Sequence, residues 1–280
     1  TMKKIDVQAI ESYRNHLIDE EKSNATIEKY IRDINEFNSW AADYEIDKRT
    51  VLEYKEKLMA KYKPRSVNSI LSSLNSFFNF FGWQDCKVKT IKIQHQIFTD
   101  KNRELTEAEY GRLLRAAEGL KNRRLYYLMQ TICSTGIRVS ELRFITVDAV
   151  YDGWTTINCK GKMRTVILPA KLCKILKKYV KEQGIKSDSV FVSKNGKPLN
   201  RTNIWADMKK LCDTAGVDRS KVFPHNLRHL FARTYYSLEH DIVRLADILG
   251  HSSINTTRIY TMDSGEVHRR QIDRLNLLRC

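Results

Sequence analysis

The chain lacks the marks of several large protein classes. Its 280 residues hold no apolar run approaching the roughly 18 residues that a membrane span needs. The opening stretch Thr1-Met2-Lys3-Lys4-Ile5-Asp6 has no apolar segment of signal-peptide type. Cys86, Cys133, Cys159, Cys173, Cys212 and Cys280 are scattered, with no CxxC pair. That spacing speaks against a zinc site or a disulfide framework and for reduced thiols in a cytoplasmic protein. No phosphate-binding glycine loop, dinucleotide fingerprint, internal repeat or low-complexity tract is present. No convincing set of carboxylates offers to hold Mg²⁺. The expectation is a protein with no metal and no other cofactor, and no membrane partner.

What the chain does have is positive charge. The formal net charge is +16, and its distribution is uneven: residues 1–102 carry +2 and residues 103–280 carry +14. Such a field favours a polyanion. With no amphipathic basic anchor and no lipidation motif, nucleic acid is the better reading than an anionic membrane surface.

Hydrophobic periodicity divides the chain. Residues 5–82 read as an all-helical module. Ile10, Tyr13, Leu17 and Ile18 recur at helical spacing; Ile27, Tyr30, Ile31, Ile34, Phe37 and Trp40 form a second stripe behind an N-cap in 23–26; residues 51–62 form a third helix. Pro64 opens a fourth, with Val67, Ile70, Leu71, Leu74, Phe77, Phe78 and Phe81 apolar. On that spacing the aromatics are core residues rather than base-stacking platforms. Residues 83–103 lose the pattern and mix Lys87, Lys89, Lys92 and Lys101 with isoleucines. They read as a basic inter-domain linker or as an ordinary exposed loop. Thr106 and Glu109 then form a capping box at the start of a second domain. Helices follow at 107–118 and 123–134. Residues 154–158 and 164–168 alternate as two strands around a basic tip, and 190–192 read as another strand before the turn Asn195-Gly196. Helices return at 201–215, 226–238, 240–249 and 253–261, with a last apolar helix at 265–278. The expected fold is mainly α with a small β-sheet: an all-helical domain over 1–85, a linker over 86–103 and an α+β domain over 104–280.

Four stretches carry groups able to do chemistry. In Thr135-Gly136-Ile137-Arg138-Val139-Ser140-Glu141-Leu142, Arg138 falls in the first turn of a helix with Glu141 one turn on, able to orient it; a solvated surface pair has the same pattern. In Pro224-His225-Asn226-Leu227-Arg228-His229, His225 and Arg228 share one side of a helix start, a fair anion site. His229, one turn beyond His225, is a site residue or a structural histidine. Gly250 ends a helix, His251 projects from the turn, and the next helix delivers Tyr260. A phenol with a pKa near 10 becomes a nucleophile when cations lower that value and a base takes the proton. Finally, Lys160 sits at the hairpin tip, where an ammonium could donate a proton or touch a backbone phosphate, with Lys162 and Arg164 close by.

The order and conjunction of these stretches resemble the tyrosine recombinase (phage integrase) family, in particular the compact Xer-like and transposon integrases, over nearly the whole length. GIRVSEL resembles the first arginine box, CKGKMRTVILP the β-hairpin lysine segment with a shortened tip, HNLRH the second box and LGHSSINTTRIY the last. The resemblance implies a SAM-like core-binding domain followed by a catalytic domain, with no separate arm-binding domain ahead of them. It implies metal-independent strand exchange in double-stranded DNA through a 3′-phosphotyrosyl intermediate. Tyr260 would be the nucleophile, Arg138 and Arg228 the phosphate clamp, His225 the general base or orienting group and His251 a phosphate donor. Lys160, or Lys162 if the shortened tip shifts the register, would be the general acid, and Glu141 and His229 would support them. DNA contacts are expected from Lys63, Arg65, Ser66, Asn68, Lys162 and Arg164. The family also implies a homotetramer on two DNA sites, and the helix at 265–278 would dock on its own domain or on a neighbour. Three alternatives remain at this point: a type IB topoisomerase-like relaxing enzyme, a catalytically silent DNA-binding relative, and a metal-dependent transposase-type integrase.

Overall fold

Asp6 and Asp47 start two helices in the same way: each side chain accepts a backbone N–H three residues on, from Ala9 and Thr50 respectively. The computed structural model describes residues 3–42, 44–94, 101–159, 162–185, 188–193, 195–262, 269–270 and 272–275, apart from the side chains of residues 101, 159 and 162. The chain separates into two compact units, Thr1–His95 and Gln96–Cys280.

The first unit is four helices: α1 (Val7–Asp19), α2 (Asn24–Trp40), α3 (Lys48–Lys61) and α4 (Pro64–Phe80). Pro64 occupies the first turn of α4, where its missing N–H costs nothing. The apolar stripes meet in one core. Tyr13, Phe37, Tyr54, Phe77 and Phe78 are buried there, with Tyr13 edge-on to Phe77 and Phe37 edge-on to both Tyr54 and Phe78. Burying each such ring contributes roughly 1.5–3 kcal/mol, so these aromatics hold the fold, as their spacing implied. Asp33 is buried between α2 and α4, paired with Lys29 at 2.7 Å and accepting from the Ser73 hydroxyl at 2.8 Å.

Beyond α4 the chain does not leave the unit at once. Asn75 donates to the Val88 carbonyl at 2.9 Å and accepts from its N–H at 3.1 Å. Asn68, seven positions earlier on α4, does the same with Ile91 at 2.8 and 2.7 Å. Two amide side chains on one helix face thus hold an extended segment in register, with Val88 buried beneath it.

The second unit contains α5 (Glu107–Glu118), α6 (Arg124–Thr135), a 3₁₀ helix at Val139–Phe144, α7 (Val147–Asp152), strands β1 (Trp154–Cys159) and β2 (Lys162–Ile167), α8 (Ala170–Gln183), α9 (Arg201–Lys210), α10 (Cys212–Ala215), α11 (Pro224–Glu239), α12 (Ile242–Leu249) and α13 (Ile254–Thr257). The Thr106–Glu109 capping box forms as its spacing predicts. β1 and β2 pair antiparallel, from Trp154 opposite Ile167 to Cys159 opposite Lys162. The third strand expected at 190–192 reduces, among the described residues, to two isolated bridges, Thr146 with Ser189 and Val192 with Pro198. The expected helix at 201–215 breaks into α9 and α10 near Leu211. Helices α6 and α11 cross at the centre of the main core, which includes Leu128, Met129, Ile132, Leu227 and Leu230. The fold is thus mainly α with one small sheet.

Of the apolar segment expected to form a helix at 265–278, residues 269–270 and 272–275 are described, and Ile272 and Leu275 are exposed. Among the described residues no helix is long and apolar enough to cross a membrane. Also among them, Cys86, Cys133, Cys173 and Cys212 are free thiols, and no three His, Cys, Asp or Glu side chains gather as a metal site would need.

Candidate active site

Helix α6 ends at Thr135, and Gly136 turns the chain with φ +64°. A Cβ at that position would lie 2.4 Å from Phe231 Cδ1 and 2.9 Å from Leu249 Cδ2. Glycine is therefore required twice, for the left-handed backbone and for the close approach of α11. The turn leaves Arg138 extended, as the residue that caps the 3₁₀ helix rather than one inside a helical turn as its spacing suggested. Its free backbone N–H is bound by the Glu141 carboxylate at 2.7 Å, and its Nη1 donates to the other oxygen at 2.8 Å. Arg164 of β2 donates to Glu141 from the far side at 2.5 Å. Burial alone would raise the Glu141 pKa, but the Arg138 amide and the two guanidiniums outweigh it and hold the carboxyl below its usual range.

Arg228 lies on α11 and is 2% exposed. Its Nη1 donates to the Gly136 carbonyl at 2.5 Å, and its Nη2 to the Leu249 carbonyl at 2.8 Å. Arg138 Nη2 comes within 3.5 Å of the Gly250 carbonyl, a weak contact. The two guanidiniums, far apart in sequence, therefore meet at neighbouring carbonyls of one turn. Burial, then the positive charge of Arg138, lowers the Arg228 pKa to about 10, which leaves it charged at neutral pH. Arg138, Glu141, Arg164, Gly250 and His251 line a cleft of about 680 Å³, and Arg228 lies buried behind it, bonded to His251.

Gly250 caps α12 with φ +65°, and the turn presents His251. Arg228 Nη2 lies 2.9 Å from His251 Nε2. An arginine only donates, so Nε2 accepts and the ring proton sits on Nδ1. That proton is given to the buried Thr257 hydroxyl at 2.8 Å. Burial, then Arg228, lowers the His251 pKa to about 4. His225 and His229, one turn apart on α11, face each other with their Nε2 atoms 3.0 Å apart. Burial, then His225, lowers His229 to about 3. His225 is lowered by loss of solvent and by Arg228, Arg201 and Arg138; its ring is exposed, so the charges are the firmer cause.

Tyr260 ends the 3₁₀ turn that follows α13. It is 5% exposed and packs with Ala232, Leu245 and Leu249. The His229 ring meets it edge-on at 4.8 Å, and the His251 ring lies roughly parallel at 6.2 Å. Burial pushes its pKa up, while Arg228 and Arg138 pull it back only in part. The expectation that cations would lower the phenol below its ordinary value is corrected here: in the protein without DNA, desolvation wins.

The structure thus brings together Arg138, Glu141, His225, Arg228, His229, His251 and Tyr260. Lys160 lies outside the described residues, and of Lys162 only the backbone, paired with Cys159, is described. Arg164 was expected to contact DNA; instead it is 12% exposed and bound to Glu141 and to the Ile248 carbonyl at 2.6 Å. Asn68 was another expected contact, but both ends of its amide are taken by Ile91. Lys63, Arg65 and Ser66 are exposed at the start of α4. Sequence reading missed Thr257 and the Gly136 carbonyl. A polar residue six positions after His251 was the one available signal for the first; the second has none, since every residue has a carbonyl.

The chain is similar to known proteins over nearly its whole length. Residues 103–266 match the Phage integrase family, and residues 10–85 match the Phage integrase, N-terminal SAM-like domain. Tyrosine recombinase XerA of Pyrococcus furiosus is 31% identical, over 97% of this chain and 95% of the relative. Tyrosine recombinase XerD of Xanthomonas axonopodis pv. citri is 29% identical, over 93% and 94%. A lambda integrase tetramer bound to a Holliday junction shares the fold at a TM-score of 0.74 and 19% identity, covering 92% of this chain and 77% of that one. The Tn1549 transposon integrase in complex with transposon right end DNA does so at 0.71 and 17%, covering 96% and 99%. The motif order, the converging arginines around one tyrosine and these likenesses have a single explanation: the chain belongs to the phage integrase family and is a site-specific tyrosine recombinase of the Xer-like type.

Proposed function

We propose that the site residues act as follows. Tyr260 attacks a scissile phosphate in double-stranded DNA, forms a 3′-phosphotyrosyl bond and frees a 5′-hydroxyl. Arg138 and Arg228 hold the non-bridging oxygens as charge builds on them. The observation that carries this reading is the meeting of these two guanidiniums at the Leu249 and Gly250 carbonyls, beside Tyr260. Two like charges meeting at one turn repel, and an anion between them removes that penalty. Preorganised donors of this kind are usually the largest catalytic term, worth on the order of 10²–10³ in rate each.

His225 accepts the phenolic proton or orients the phosphate, and His251 donates to a phosphate oxygen from Nε2 in its other tautomer, with the Thr257 hydroxyl then donating to Nδ1. Glu141 and His229 support them. Lys160 protonates the leaving 5′-oxygen, with Lys162 as the alternative. The same array, run in reverse by the 5′-hydroxyl of a partner strand, rejoins the DNA with no energy source. Residues 1–85 form a DNA-binding half, with Lys63, Arg65 and Ser66 at the start of α4 directed to DNA; residues 86–103 connect it to the catalytic half, 104–280. The +14 charge of residues 103–280 supports phosphate binding that weakens steeply with salt. The working form is a homotetramer on two DNA sites in the cytoplasm, serving a mobile element or a chromosome.

A nicked suicide duplex carrying candidate sites tests the reading. The protein accumulates a covalent adduct in EDTA, and the modified peptide contains Tyr260. Tyr260→Phe binds the same duplex and forms none. An adduct of equal yield from the phenylalanine variant sinks the assignment. Relaxation of supercoils with no recombinant product points instead to a type IB-like enzyme.

A further inference from the structure

Arg164 has a place in the fold that a DNA contact would not need. Strand alternation turns Met163 and Thr165 outward and Arg164 and Val166 inward. Across the ladder Arg164 faces Ile157. From there its guanidinium reaches two other elements: Nη2 donates to Glu141, which orients Arg138, and Nη1 donates to the Ile248 carbonyl at the end of α12. Its stem runs over Gly250, where a Cβ would sit 2.3 Å from Arg164 Cδ. The glycine before His251 therefore also makes room for this side chain. Nε is buried without a partner among the described residues, so the two charge-assisted bonds, the strong kind, carry the attachment.

Ile157 and Val166 bury one side of the hairpin in the main core, and Arg164 adds a polar attachment nearer the tip. The hairpin is a sheet of two strands, an arrangement that is marginal by itself in water, and Trp154, Met163 and Ile167 on its outer side are exposed. Arg164 is two residues from Lys162, the last described residue before the tip on β2. It ties that end of the hairpin to the 3₁₀ helix that starts after Arg138 and to the turn that carries His251.

We infer that Arg164 is a positioning residue for DNA cleavage: it ties β2 to the groups that bind the phosphate, and through that strand it serves proton donation to the leaving oxygen. This rests on the assignment of the general acid to the hairpin. In the step concerned, the Tyr260 oxygen forms a bond to phosphorus, the bond from phosphorus to the 5′-oxygen breaks, the phenolic proton passes to the base, and the ammonium proton passes to the departing oxygen. Misplacing the lysine affects the last transfer alone.

Replacing the bridging 5′-oxygen of the suicide duplex with sulfur isolates that transfer, because a thiolate leaves without a proton. Cleavage by Arg164→Met is measured on both duplexes at saturating DNA, together with its melting temperature and its affinity. On the oxygen substrate we expect a loss on the order of 10²-fold, the scale of general-acid catalysis. On the sulfur substrate we expect a return to near the parent rate. Arg164→Lys, which keeps the charge and loses the two-point fork, falls between and serves if the methionine variant folds poorly. Arg138→Ala is the comparison that stays slow on both. Equal slowing of the Arg164 variants on both substrates overturns the inference and makes Arg164 a general support of the phosphate clamp. Lys160→Ala and Lys162→Ala decide the underlying assignment separately. The lysine whose loss is rescued by sulfur is the acid; rescue of neither refutes the assignment to a hairpin lysine, whatever the Arg164 result.

Discussion

The Arg228 guanidinium donates to the carbonyl oxygen of Gly136 at 2.5 Å across 92 positions of sequence. The bond ties the helix of the second motif to the turn of the first. It also fills part of the donor capacity of Arg228 before any DNA arrives, with the Leu249 carbonyl and His251 taking more. An anion reaching this guanidinium would compete with acceptors already in place, two of them the protein's own carbonyl oxygens.

Gly136→Ala tests how far that turn depends on glycine. The substitution forces a Cβ against Phe231 and a left-handed backbone on alanine. Overpacking and the backbone penalty together should cost about 2–5 kcal/mol. Chemical denaturation of the variant and the parent measures the difference. Adduct formation should fall with it, since the Gly136 carbonyl positions Arg228.

Stability should decline on mild acidification. His251 and His229 have folded pKa values of about 4 and about 3 against an ordinary 6.5, and His225 is lowered in the same direction. The His251 and His229 rings are neutral when folded and become protonated when unfolded below pH 6.5. The unfolded chain therefore binds more protons in that window, and the stability present above pH 6.5 is lost progressively as pH falls toward 4 and then 3. Carboxylates such as Glu141, held below their usual range, remain ionised in the upper part of that window. Thermal melts between pH 8 and pH 5 should show the slope, and His229→Asn should flatten it. An unchanged slope in that variant excludes His229 as a source.

Thr257→Val removes the acceptor of the His251 Nδ1 proton without changing the side-chain shape. The variant should lose about 1–3 kcal/mol, the cost of leaving a sheltered donor unpaired. Its cleavage rate should fall while DNA affinity stays near that of the parent, because the ring loses the partner that fixes its orientation. Single-turnover cleavage and a binding titration separate the two effects.

The amide pairs of Asn68 and Asn75 predict how residues 87–91 respond to protease. Replacing both by leucine removes four hydrogen bonds to the segment. At about 0.5–1.5 kcal/mol each, the change should speed tryptic cleavage after Lys87, Lys89 or Lys92 by tenfold or more. Cleavage sites read by mass spectrometry check it, and equal rates in the double variant and the parent count against the clamp.

Sequence alone fixed a good deal. Helical stripes reported which side of each helix is apolar, and in the first unit those stripes met in the core they implied, Phe37 and Phe77 included. Capping chemistry is local, so Thr106 with Glu109 could be read without coordinates. The motifs named Arg138, His225, Arg228, His251 and Tyr260, and these side chains do converge. The strand at 190–192 was over-read because alternation over three residues does not say whether a partner strand exists.

Tertiary structure decided the rest, because it depends on groups far apart in sequence. Arg164 looks like any basic residue near a hairpin tip until Glu141, Ile248 and Gly250 are placed around it. Asn68 looks free for DNA until Ile91 folds back on α4. Tyr260 has the same phenol in every context, and only packing against Ala232, Leu245 and Leu249 shows that burial outweighs the arginines and holds its proton. Periodicity and motif spacing report on near neighbours along the chain; charge balance, hydrogen-bond partners and solvent exclusion are set by what the fold places beside a group, and no local pattern encodes that.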